Sequence, residues 1–145
     1  MGTNLKTYAT NAITHNRTRI FQRTTNAEKM VEILFHYRDA GRYLLHGYVV
    51  MPDHIHVLLT PLGDQTIERC MQCIKGGFSF AIRQEFKGEV WLRSFHEHRV
   101  RNLEDFMNQR NYIAMNPSRK NWESYEYVHT RQLSRLDEVP EYLRG

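Results

Sequence analysis

The hydrophobic positions of this chain change their period several times, and each change predicts an element. Lys6 to Thr14 mixes Tyr8 and Ile13 with threonines and reads as a strand, and the polar run His15 to Arg19 reads as the turn that follows. Thr25-Asn26-Ala27-Glu28 has the capping-box spelling, and Ala27, Met30, Val31 and Leu34 fall at helical spacing after it. A first helix is therefore predicted to run to about Ala40 and to stop at Gly41. Tyr43 to Met51 and His54 to Thr60 are β-branched and aromatic runs joined by Pro52-Asp53 and stopped by Pro61, the pattern of a hairpin. Ile67, Cys70, Met71, Ile74, Phe78, Ala81 and Ile82 restore the helical period. Gly76-Gly77 interrupts this second helix, at roughly 1 kcal/mol per glycine relative to alanine. Val90 to Arg99 reads as another strand. Asn102 can cap a third helix with Leu103, Phe106, Met107, Arg110 and Ala114 along one stripe, and Asn116-Pro117 is expected to end it.

The order β-α-β-β-α-β-α defines an α+β chain. Its first six elements follow the ferredoxin-like arrangement, an antiparallel sheet with helices on one face and an open face free to carry a site. At 145 residues and with no internal repeat, one domain over 1–120 and a tail over 121–145 are expected. Trp122, Tyr125 and Tyr127 are spaced to anchor the tail, with a frayed end from about Ser134. No apolar run is long enough to cross a bilayer and no apolar leader opens the chain, so no membrane contact and a cytoplasmic location are expected. Cys70 and Cys73 read as small core or boundary residues rather than a zinc pair.

Charge adds a partner. The net charge is +4, but residues 1–120 carry 17 Lys and Arg against 11 Asp and Glu, whereas 121–145 carry 3 against 5. The basic character sits on the body, which suits a polyanion.

Two constellations carry chemistry. On a strand, alternate side chains share a face, so His54 and His56 point one way while Ile55, Val57 and Leu59 point the other. Taken alone, such a pair is more often two surface histidines than two metal ligands. Tyr112 and Asn116 lie four apart on the third helix and share a face off its apolar stripe. A tyrosine hydroxyl, with a pKa of about 10, is a poor nucleophile at neutral pH and needs an activated electrophile. A metal on two imidazoles and an amide oxygen can neutralise a phosphate and polarise its phosphorus for attack by Tyr112. These donors alone do not choose the metal.

The run HGYVVMPDHIHVLLTP, His46 to Pro61, followed by NYIAMNP, Asn111 to Pro117, resembles the single-tyrosine HUH transposases, and among them the REP-associated tyrosine transposases. The nucleophile pattern of that group fits Tyr112, Ile113, Asn116 and Pro117, and its intermediate motif fits Val90, Trp91, Phe95, His98, Val100 and Arg101. The likeness covers about residues 5–120. It implies a Mg2+- or Mn2+-dependent nuclease and strand transferase for single-stranded or hairpin DNA, working through a 5′-phosphotyrosine. It implies His54, His56 and Asn116 as metal ligands and Tyr112 as the nucleophile. Related enzymes often form a homodimer through the sheet edge, but the residues leave the oligomeric state open. A C-terminal extension can help bind or regulate DNA in REP-associated members, and the short acidic tail here puts that role in doubt.

Supporting residues follow. Lys75 before Gly76-Gly77 is a candidate phosphate contact or a solvated lysine beside a packing point. Arg83, Arg93, Arg99, Arg101 and Arg110 are candidate DNA-backbone contacts as a group. Trp91 and Phe95 are read as core rather than as base-stacking platforms. Asp53 is read as a turn residue, with orientation of a ligand histidine as the alternative. Two other functions compete: a non-catalytic nucleic-acid module on the same scaffold, which would leave the histidine pair idle, and a metallohydrolase using metal-bound water with Tyr112 incidental.

Overall fold

The computed structural model describes residues 5–119 and 135–144. Strand β1 (Thr7–Ile13) leads to helix α1 (Thr24–Asp39), and the hairpin β2 (Tyr43–Met51) and β3 (His54–Pro61) follows. Helix α2 (Ile67–Ala81), strand β4 (His96–Val100) and helix α3 (Leu103–Arg119) come next, with a short α4 (Glu141–Arg144) in the last described segment. The four strands form one antiparallel sheet in the order β2-β3-β1-β4, the ferredoxin-like topology that the element order predicts. No helix among the described residues is long and apolar enough to cross a membrane.

The sheet separates two cores. Ile55, Val57 and Leu59 pack with Met30, Leu34, Ile74 and Phe78 of α1 and α2. On the opposite face Val49, Met51 and Leu58 meet Phe106 and Ile113 of α3, Val100 and Leu143. An extra residue in β2 makes this possible. Leu45 pairs with Leu59 but Gly47 pairs with Leu58, so His46 is bulged out of register. The α1/α2 face therefore receives Tyr43 and Leu45 before the bulge and Tyr48 and Val50 after it.

Several local expectations are corrected. Helix α1 starts at Thr24 with Arg23 at its N-cap and no side-chain cap, so the Thr25 capping box does not form. Helix α2 runs unbroken through Gly76-Gly77. A Cβ on Gly77 would lie 3.0 Å from the Tyr37 ring and 3.1 Å from its hydroxyl, so this glycine serves the close approach of α1 to α2. The strand predicted from Val90 shrinks to His96–Val100, with Trp91 making only an isolated bridge to Thr14. Trp91 turns into the core against Phe21 and Phe78, and its indole N–H donates to the Lys75 carbonyl, which draws this stretch out of the ladder. Trp91 is a core residue as expected, and Phe95 packs half-buried against the same core.

In α3, Asn102 does cap the helix, its Oδ1 accepting from the Asp105 amide at 2.8 Å. The buried stripe is Phe106 and Ile113, while Leu103 and Met107 are exposed. The helix continues past Asn116-Pro117 to Arg119, so the missing Pro117 N–H weakens only its last turn. Trp122, Tyr125 and Tyr127 lie outside the described residues. The expected fraying from Ser134 onward is corrected by residues 135–144, which pack on the body. The Asp137 amide donates to the Leu45 carbonyl at 2.7 Å, its carboxylate accepts from the Leu45 amide and Arg38, and Leu143 is buried.

Candidate active site

The β2–β3 turn is fixed from outside the hairpin. The Thr14 amide donates to the Asp53 carbonyl at 3.0 Å, and the Phe21 amide donates to the Pro52 carbonyl. From this turn β3 projects His54 and His56 onto the face shared with α3. Their rings stand 5.1 Å apart, centroid to centroid, and nearly perpendicular. The Tyr112 ring meets His56 edge-on at 5.5 Å. The sequence-predicted nucleophile and histidine pair, some fifty residues apart in the chain, therefore form one cluster. Tyr112 itself is 42% exposed, open to a large substrate.

Electrostatics keep the histidines suited to a metal. His54 Nδ1 lies 2.8 Å from Asp53 Oδ1. Burial raises the Asp53 carboxyl, but the His54 hydrogen bond and charge and then Arg17 outweigh it, and the group ends below the ordinary carboxylate range. Asp53 thus does both things considered for it: its backbone makes the turn and its carboxylate orients His54. Burial, then the neighbouring His54, push the His56 imidazole down to about 4 against an opposing hydrogen bond with the Thr10 backbone, so it is neutral at physiological pH. Neutral imidazole is the form that ligates. The donor chemistry fits a divalent ion, with His54 and His56 as two donors. The backbone of Asn116 lies one helical turn past Tyr112, while its side chain lies outside the described residues. Among the described residues no group of three or more His, Cys, Asp or Glu is placed to hold a metal ion.

The predicted DNA contacts are scattered. Lys75 Nζ donates to the carbonyl of Leu92 at 2.8 Å and lies 3.4 Å from those of Arg93 and Ser94, so it staples this loop to α2 rather than standing in solvent. Arg83 closes the end of α2 by donating to the Phe80 carbonyl and lies over the Phe80 ring. Arg93, Arg99 and Arg101 are exposed, and half-buried Arg110 lies close enough to His46 to oppose its protonation. None of these six lines the cavity at Tyr112.

That cavity, of about 270 Å3, brings in residues the sequence reading did not assign. Asn11 of β1 lies between His56 and His96 in one cross-strand row. His98 and Gln109 also line the space, and His98 Nε2 lies 2.7 Å from Asp105 Oδ2. His96-Glu97-His98 repeats the H-x-H spelling on β4, a signal present in the sequence, but only strand pairing puts it beside Tyr112.

A ferredoxin-like sheet with an H-x-H strand beneath a tyrosine-bearing helix defines the class. The family described as Transposase IS200 like matches residues 4–116, and the chain belongs to it. The REP-associated tyrosine transposase of Escherichia coli is 27% identical over 100 residues, 68% of this chain and 59% of that protein, so the match spans less than two thirds of the relative. Among solved structures, a REP-associated tyrosine transposase bound to a REP hairpin superposes with a TM-score of 0.75 at 22% identity, covering 97% of this chain and 90% of that one. A crystal structure from Deinococcus radiodurans has a TM-score of 0.60 at 20% identity, covering 84% and 95%. At these identities the two structures speak for the fold.

Proposed function

We propose that this protein is a transposase that cleaves and rejoins single-stranded DNA flanking a hairpin, through a 5′-phosphotyrosine on Tyr112. The observation that carries the reading is the contact of Tyr112 with His56, 5.5 Å between rings, with His54 a further 5.1 Å along the same strand face. A half-exposed tyrosine packed on a histidine pair, one of whose rings Asp53 orients, suits attack on a phosphate better than a place in a core.

In this reading His54, His56 and Asn116 would hold Mg2+ or Mn2+, which supplies charge neutralisation and polarisation of the scissile phosphate. Asp53 holds the His54 ring so that Nδ1 carries the proton and Nε2 keeps its lone pair. The Tyr112 oxygen attacks phosphorus. Tyr112 gives up its phenolic proton to water as the Tyr–O–P bond forms, the P–O3′ bond breaks, and the 3′-oxygen takes a proton from water to leave as a hydroxyl, so one proton moves overall from the phenol to the leaving group. The phosphotyrosine conserves the diester energy, so a 3′-OH can reverse the step and join a new strand. The relative caught with a REP hairpin supports hairpin DNA as the substrate class here.

A covalent-adduct gel tests this. With a hairpin oligonucleotide bearing single-stranded flanks and Mn2+, the wild type should give a protein–DNA band that survives denaturant. Tyr112→Phe should give none while binding the same DNA. A band from the Tyr112→Phe protein would refute the nucleophile assignment.

A further inference from the structure

We propose that the cavity between β1, β4 and α3 is a nucleobase pocket, which receives one unpaired base carrying an exocyclic amino group from the strand that lies across Tyr112. The inference rests on the single-strand reading of this face, and it adds a ligand contact that the Tyr112 and histidine cluster does not require.

The first ground is an unmet hydrogen bond. Asn11 Oδ1 is buried and has no hydrogen-bond partner among the described residues. Such an acceptor costs free energy unless a donor reaches it. Its strand register explains the burial: Asn11 sits between His56 and His96 on the α3 side of the sheet. The half-buried side chain lines the cavity, with its Oδ1 turned away from water.

The second ground is the polarity of the other lining groups. The Asp105 carboxylate only accepts, so His98 Nε2 donates to it at 2.7 Å, which fixes the His98 ring at the cavity edge. Gln109 turns its amide N–H toward the same carboxylate at 3.4 Å, which makes Oε1 its other end. Burial raises the Asp105 carboxyl, but hydrogen bonds from His98 and Gln109 outweigh this, so the carboxylate stays an acceptor that holds the Gln109 amide N–H and leaves Oε1 free to face the cavity. The cavity thus presents acceptors and asks for a ligand rich in N–H donors.

The third ground is size and place. At about 270 Å3 the space is at the small end of ligand pockets, the scale of a single planar ring system with water. Ala9 and Ile113 supply apolar surface for its faces, and Tyr112 and His56 form one wall. A base in this pocket would belong to a nucleotide adjoining a phosphate at Tyr112. Adenine, cytosine and guanine carry an amino group with two donors, and thymine carries none. Extruded bases are read by such contacts to their Watson–Crick edge.

Binding of short strands to Tyr112→Phe protein, which cannot form an adduct, tests the pocket apart from the chemistry. The probes are fluorescein-labelled thymine 12-mers with one central substitution: adenine or its deamino analogue purine, cytosine or 2-pyrimidinone, guanine or hypoxanthine. At fixed salt, at least one amino base should bind roughly tenfold more tightly than its deamino partner and than the all-thymine strand, the effect of meeting a buried acceptor. Adding Asn11→Leu should erase that difference and leave affinity for the all-thymine strand within about twofold, because backbone contacts carry that part. His98→Ala should reduce the same preference, and it keeps the test sharp if the leucine variant folds poorly. Equal binding of all amino and deamino pairs, or a preference that survives both substitutions, overturns the pocket. A preference without a covalent band from the wild-type protein would leave the pocket standing and remove the phosphotyrosine reading. A band without any preference would do the reverse.

Discussion

Replacing Asp53 by asparagine keeps the shape of the side chain and removes its charge, which isolates what the carboxylate does for His54. The wild-type contact is a charge-assisted hydrogen bond of 2.8 Å. Asparagine Oδ1 can still accept from Nδ1, so ring direction is retained with a neutral bond, about 1 kcal/mol weaker. The accompanying Arg17 pair, 3.4 Å with Arg17 62% exposed, adds little to stability. The turn itself survives, because Thr14 and Phe21 bind its backbone carbonyls. Folding should therefore change by about 1 kcal/mol or less. Metal affinity is different: loss of a carboxylate behind a ligating histidine typically costs about 10- to 100-fold, or about 1.4–2.7 kcal/mol. The assay is adduct formation as a function of Mn2+ concentration, beside a urea melt of the same protein. Asp53→Asn should move the Mn2+ midpoint upward by that factor and recover wild-type rates at saturation. An unchanged midpoint in a folded variant would refute the argument that Asp53 tunes a metal ligand.

Other outcomes follow from the same structure. In EDTA, stability should fall as pH drops below about 6.5, because the unfolded chain takes up a proton that His56, held down to about 4, refuses until lower pH. The His56 share is about 2 kcal/mol between pH 7.5 and 5, and His56→Asn should flatten the slope; an unchanged slope would sink the assignment. Some slope should remain from His46, whose burial also lowers its pKa. Gly76→Ala meets nothing within 4 Å and should stabilise α2 by about 1 kcal/mol, raising Tm by a few degrees. Gly77→Ala meets Tyr37 at 3.0 Å and should forfeit that gain; equal gains in calorimetry would contradict the packing. Affinity for hairpin DNA should fall steeply between 50 and 200 mM salt if the basic body contacts phosphates, as a log–log plot would read directly.

Much of this was legible in the chain because the decisive signals are periodic. Tyr43–Met51 and His54–Pro61 are strands whose ends match the expectation almost to the residue, and the alternation of His54, Ile55 and His56 correctly separates the two faces. The junction between α2 and β4 was not legible, since burial of Trp91 and the Lys75 staple override strand propensity over 90–95. Helix α3 was placed correctly, but Leu103 and Met107 look like core on a wheel and are exposed, because the sheet meets the helix along Phe106 and Ile113. Asn11 could not be found from sequence at all: its place beside His56 is a product of β1–β3 register. Asp105 and His98 are seven apart across a strand–helix corner, a spacing that no single period reports.

The bulge at His46 has a consequence at the far end of the chain. The Asp137 carbonyl can only accept, so His46 Nδ1 carries the proton at 3.0 Å, and in the neutral ring Nε2 then accepts from Thr60 at 2.8 Å. With its hydrogen committed there, Thr60 must accept from Thr7 at 2.7 Å, and Thr7 in turn accepts from Tyr142 at 2.9 Å. The sequence of donors therefore runs one way, from Tyr142 to Asp137, through three buried side chains. Both ends of the 135–144 segment are written into a single orientation of hydroxyls. Neither end can release without reversing or orphaning protons at the other, so the segment should leave the sheet as one cooperative step, and amide exchange at Asp137 and Leu143 should report the same opening free energy.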